Sequence, residues 1–93
     1  MHRFTSETRL SRTQDLISTE LDEETVLMSI DAGAYYGLKG PAQTIWNNLE
    51  TPLTFSALVE RLVKEYSVSQ ETCSEDLQQF LAKMEQEGLL HVD

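Results

Sequence analysis

Thr25-Val26-Leu27-Met28-Ser29-Ile30-Asp31-Ala32-Gly33-Ala34-Tyr35-Tyr36-Gly37-Leu38 is the stretch from which the fold can be read. Its first six residues place Val26, Met28 and Ile30 on one side at a period of two, the repeat of a β-strand. Asp31-Ala32-Gly33 then supplies turn residues, with Gly33 free to take a positive φ. Ala34 to Leu38 is a second short run, aromatic in character, stopped by Lys39-Gly40-Pro41. Just upstream, Leu16-Ile17-Ser18-Thr19-Glu20-Leu21 has Ile17, Thr19 and Leu21 on one side, and Asp22-Glu23-Glu24 follows as a polar turn. The reading is a three-stranded antiparallel meander whose helix-free face is wet.

Downstream the period lengthens to that of a helix. Pro41 sits where a helix favours its first residue, and Ala42, Ile45, Trp46 and Leu49 recur at helical spacing until Thr51-Pro52 breaks the run. Thr54 is a candidate N-cap for a second helix, in which Phe55, Leu58, Val59, Leu62, Val63 and Tyr66 form one apolar stripe. Ser67-Val68-Ser69 makes the next turn. Cys73, Leu77, Phe80, Leu81 and Met84 mark the apolar face of a third helix, capped by Ser69 and ended by Gly88. Leu89-Leu90-His91-Val92 adds a short closing strand. The expected fold class is α+β, a winged helix-turn-helix-like domain with a three-stranded antiparallel sheet followed by three helices.

The chain has 93 residues, 16 acidic against 7 basic, a net charge of −9 and 40% hydrophobic residues, which describes one small domain. Arg3, Arg9 and Arg12 lie in a polar opening rich in Ser and Thr, so residues 1–14 are expected to be a flexible arm and 15–93 the folded domain. No run approaches the roughly 20 apolar residues that cross a bilayer, and the first residues lack the apolar core of a secretion signal. A cytoplasmic location without membrane contact is expected.

Catalytic chemistry finds no foothold. One cysteine, Cys73, precludes an internal disulfide, and His2 and His91 are too few for a zinc site, so neither metal nor cofactor is expected. Gly33, Gly37 and Gly40 lack the lysine and helix mouth of a phosphate cradle. Asp22-Glu23-Glu24 reads as a solvated turn and Glu75-Asp76 as a solvated helix face, while Cys73 falls on an inward stripe with no base at hand. The protein is therefore expected not to be an enzyme. Direct DNA binding is equally disfavoured, because residues 69–87 carry Glu71, Glu75, Asp76, Glu85 and Glu87 against Lys83 alone.

Thr25 to Ile30, Tyr35-Tyr36-Gly37-Leu38, Ala42-Gln43-Thr44-Ile45-Trp46, Phe55-Ser56-Ala57-Leu58-Val59 to Tyr66, and Asp76-Leu77-Gln78-Gln79-Phe80-Leu81 to Glu87-Gly88-Leu89-Leu90 together resemble the PqqD-like family in order and spacing. These are peptide chaperones, also called RiPP recognition elements, and the likeness covers roughly residues 15 to 92. The family often has asparagine at the place of Lys39 and an Asp-Gly pair at Glu50-Thr51. A small, free-standing, acidic chain of this type is more similar to the leader-binding proteins of lasso-peptide pathways than to the quinone-cofactor branch. The resemblance implies a winged-helix-like fold that takes the leader of a ribosomally made precursor peptide as a further strand beside the third strand, against the third helix. It also implies a separate leader peptidase and a cyclase as partners.

An exposed sheet edge offers unpaired N–H and C=O groups to an extended peptide, and the third strand is the obvious edge. Tyr36 and Leu38 point to one face and Tyr35 and Gly37 to the other, so one tyrosine packs in the core and one is free for a groove. On the third helix Phe80 leans toward Asp76, Lys83 and Glu87. The expected peptide-binding set is Tyr35, Tyr36, Gly37 and Leu38 with Asp76, Leu77, Phe80, Lys83 and Met84, in a monomer or an edge-strand dimer. Both Phe80→Ala and Leu38→Asp are expected to weaken binding in a folded protein. The alternative reading, from another class, is a winged-helix transcription or protein-interaction adaptor.

Overall fold

A computed structural model describes residues 4–93. In chain order the elements are β1 (Arg9–Arg12), β2 (Leu16–Leu21), β3 (Glu24–Ser29), β4 (Ala34–Lys39), α1 (Pro41–Asn48), β5 (Leu53–Thr54), α2 (Phe55–Tyr66), α3 (Gln70–Gln86) and β6 (Leu90–Val92). The expected meander is β2-β3-β4, antiparallel throughout, with Leu27 opposite Tyr36 and Thr25 opposite Leu38. Gly40, at φ 58°, turns the chain from β4 into α1, a conformation that a side chain would strain.

Helix ends fall where short polar side chains satisfy backbone donors. Thr54 Oγ1 accepts from the N–H of Ala57 at 3.2 Å, and Ser69 Oγ accepts from the N–H of Thr72 at 3.1 Å. Gly88, at φ 79°, lies just past α3. Thr54→Ala and Ser69→Ala should each lower the unfolding free energy by about 1 kcal/mol in urea melts. A loss well below this at Thr54 would show that the carbonyls of Ser6 and Thr8, which accept from the N–H groups of Ser56 and Phe55, suffice as the cap.

Contrary to expectation, the opening of the chain is not a loose arm from Phe4 onward; only residues 1–3 of that expected segment lie outside the described residues. Arg9–Arg12 is the central strand of a second three-stranded sheet, β5-β1-β6, in which Leu10 faces Leu53 on one side and Val92 on the other. The amide of Gln78 holds the backbone of Phe4 at both ends, accepting from its N–H at 2.8 Å and donating to its C=O at 2.6 Å. The Phe4 ring stacks on Phe55 at 6.1 Å. Arg12 donates through Nε and Nη2 to the carbonyl of Trp46, and its guanidinium lies 4.4 Å from the indole centroid.

The faces of the meander also differ from a simple apolar-inside pattern. Thr25, Leu27 and Leu38 are buried against the helices with Tyr36 partly covered, whereas Ile17, Leu21 and Tyr35 lie exposed on the opposite face. The core therefore runs from Leu27 and Leu38 through Ile45, Trp46, Leu58, Leu77 and Leu81 to Leu10 and Leu90, joining both sheets to all three helices.

Candidate peptide-binding site

β4 has a strand on one side only, so along its outer edge the backbone groups that point away from β3 have no strand partner. The helix α3 runs beside it in the opposite direction. Tyr36 of β4 donates its hydroxyl to Glu87 Oε2 at 3.2 Å, at the C-terminal end of α3. At the other end, Pro41 and Ala42, just past β4, share a cavity with Asp76, Leu77 and Phe80 from the middle of α3. α3 therefore approaches the β4 side of the sheet at Tyr36 and again just past the strand's C-terminal end.

That cavity has a volume of about 350 Å³. Ile45, Leu62, Tyr66, Val68 and Cys73 complete its wall, which is apolar but for Asp76 and Tyr66. The wall forms where residues of α1, α2 and α3 converge, with Phe80 half-buried at the margin of the core. Burial and the charge of Asp76 both push the Cys73 thiol above its ordinary pKa, which keeps it protonated and unreactive at neutral pH. Burial, followed by the hydrogen bond to Glu87, likewise pushes the Tyr36 phenol up.

The expected residues separate into three groups. Asp76, Leu77 and Phe80 meet in the cavity, with Asp76 exposed on its rim. Leu38, Leu77 and Met84 are buried, so the first and last act from the core side. At 7% exposure Leu38 is a packing residue, and this corrects the reading of Leu38→Asp as a folded variant: an unpaired carboxylate at that place should unfold the protein. Lys83 is exposed on α3, and Tyr35, 70% exposed, projects from the sheet face away from α3. Gly37 stands opposite Val26, and a Cβ there would come within 3.3 Å of the Glu24 carboxylate. Sequence reasoning passed over the contribution of Pro41, Ala42, Ile45, Tyr66 and Val68. Their signal was present as the apolar residues of α1 and those at the C-terminal end of α2 and in the turn after it.

Among the described residues no helix is long and apolar enough to cross a membrane, and no group of three or more His, Cys, Asp or Glu is placed to hold a metal ion.

Comparison with known proteins bears on this arrangement. No curated protein matches the chain. Among solved structures, TbiB1 in complex with the TbiA(beta) leader peptide is 31% identical, with a TM-score of 0.81 over 87% of this chain and 94% of that one. A lasso peptide synthetase B1 complexed with the leader peptide shares the fold at 18% identity, with a TM-score of 0.78 over 88% of this chain and 96% of the other. The family model for coenzyme PQQ synthesis protein D matches residues 24–90, from the first residue of β3 to the first of β6. With that match over most of its length and a relative of this identity along nearly all of it, the chain belongs to the PqqD family, the RiPP recognition elements that its sequence resembles.

Proposed function

We propose that this chain binds the leader segment of a ribosomally made precursor peptide of a lasso-peptide pathway as an added strand on β4, and passes it to a separate leader peptidase and cyclase. The observation that carries the reading is the open β4 edge flanked by α3 and leading into an apolar cavity. Backbone pairing along the edge supplies affinity that is tolerant of sequence, and the cavity supplies the selective contact. The relative solved as a complex with its leader peptide, alike over nearly the whole chain, supports this assignment. The domain contributes recognition and leaves bond chemistry to its partners.

Calorimetric titration with a synthetic leader from the precursor encoded beside this chain's gene, against a scrambled peptide of equal charge, tests it. Micromolar or tighter binding of the true leader alone is expected, about −8 kcal/mol or better. Amide exchange should then slow along β4 and stay unchanged along β2, the other edge of the sheet. No binding of either peptide, or protection at β2 alone, overturns the reading.

A further inference from the structure

Leader recognition at β4 leaves the helix-free face of the meander unused, and that face is apolar. Side chains paired across strands share a face. Ile17, Met28 and Tyr35 form one such row across β2, β3 and β4, and Val26 lies in the next, between Thr19 and Gly37. Ile17 is 48% exposed, Leu21 57% and Tyr35 70%, so among the described residues no element covers this row. Charge is nearly absent there. The three strands carry only Glu20, Glu24 and Lys39. Glu20 pairs with the buried Thr25 and so belongs to the other face, while Lys39 Nζ lies 3.3 Å from Glu24 Oε2 and the two neutralise each other. A chain of net charge −9 thus keeps one face that is neutral and apolar.

The size of this face points to its occupant. Three strands of six residues, at about 3.3 Å per residue and about 4.8 Å between strands, span about 300 Å² in plan, against the roughly 800 Å² per partner of a stable interface. A second copy of this chain finds too little area here and brings another charge of −9 against the first. A leader paired with β4 changes the balance, given the leader-binding reading above, on which this inference rests. The leader becomes a fourth strand, and every other one of its side chains joins the same face next to Tyr35. A protein that touches both gains that area only when the leader is in place. We propose that the face centred on Ile17, Met28 and Tyr35 docks the separate leader peptidase through an uncharged apolar patch on that enzyme, and that it docks the leader-loaded form in preference to the free one. The enzyme that cleaves the leader must reach it, and this face delivers both surfaces side by side.

The test is interferometry between the intact chain and the purified leader peptidase encoded beside its gene, with and without saturating synthetic leader. The loaded protein should bind the peptidase about tenfold more tightly than the free one. Ile17→Lys and Leu21→Lys lie on β2, two strands from the leader edge. Each should weaken peptidase binding about tenfold while the calorimetric affinity for the leader and the unfolding midpoint stay unchanged. Ile17→Thr, which adds no charge, should lose part of that factor. Ser18→Lys, exposed on the same strand but paired with the buried Leu27 and so on the other face, should lose none. Equal binding of free and loaded protein, full binding by Ile17→Lys and Leu21→Lys, an equal loss from Ser18→Lys, or no binding of the peptidase at all each overturn the assignment. Sedimentation that finds a dimer of the unsubstituted chain, dissolved by Ile17→Lys, overturns it in favour of a second copy. If the unsubstituted protein binds no leader, the underlying reading fails and this one with it; if it binds leader and Ile17→Lys still holds the peptidase, only docking on this face falls.

Discussion

Phe80→Ala is expected to weaken leader binding about thirtyfold, equivalent to roughly 2 kcal/mol, in a protein that keeps its far-ultraviolet circular dichroism. Phe80 is half-buried at the edge of the cavity, with one side of the ring on the core and the other on the open groove. Truncation removes the wall against which an anchor side chain loses its water, and the buried residues behind it, Leu77 and Leu81, keep the helix seated. Part of the loss appears in stability, so the unfolding midpoint should also fall modestly. Comparing the two quantities separates the roles: a large drop in stability with unchanged affinity would make Phe80 a core residue only and move the groove elsewhere along β4.

The second large effect lies far from the groove. Leu10→Ala should destabilise the fold by about 3 kcal/mol, a large fraction of the roughly 5–15 kcal/mol that a domain of this size possesses. Leu10 is fully buried, 0% exposed, between Leu53 and Val92 at the centre of the β5-β1-β6 sheet. A flexible arm would register no change at all. Urea unfolding of Leu10→Ala beside Leu81→Ala, an undisputed core position, makes the comparison direct, and a shift below about 0.5 kcal/mol at Leu10 would detach β1 from the core.

These two positions mark the boundary of what the sequence made legible. The meander, the three helices and the caps Thr54 and Ser69 were readable because each is specified by neighbours within a few residues: a period, a turn and a capping hydroxyl. That Phe80 leans toward Asp76 on α3 also followed from helical periodicity, but the cavity in which the two meet Leu77 did not, because its other walls come from α1 and α2. β1 was not readable, because Arg9-Leu10-Ser11-Arg12 has a single apolar residue and becomes a strand only through partners at Leu53 and Leu90–Val92, distant in the chain. The orientation of the meander was also hidden: Ile17, Val26 and Met28 alternate as regularly as Thr25, Leu27 and Leu38, and only the docked helices decide which set is covered. Leu38 illustrates the cost, since its edge strand suggested accessibility while its side chain turns inward at 7% exposure.

The pairing of β1 with β6 has a consequence for how the molecule is made. Arg12 meets Leu90, Leu10 meets Val92, and the N–H of Asp93 donates to the carbonyl of Arg9 at 3.0 Å, so residues from opposite ends of the fold are stitched together. That seam cannot close until Leu90–Val92 have left the ribosome, which makes it a late step governed by long-range loop closure rather than by the local hairpin of β2 and β3. Until then Leu10 waits uncovered. For the same reason residues 4–93 should tolerate having β6 joined to the segment before β1 by a linker and being reopened at the exposed turn around Asp31, giving a circular permutant that begins with β4 and α1 and carries the seam as an internal connection.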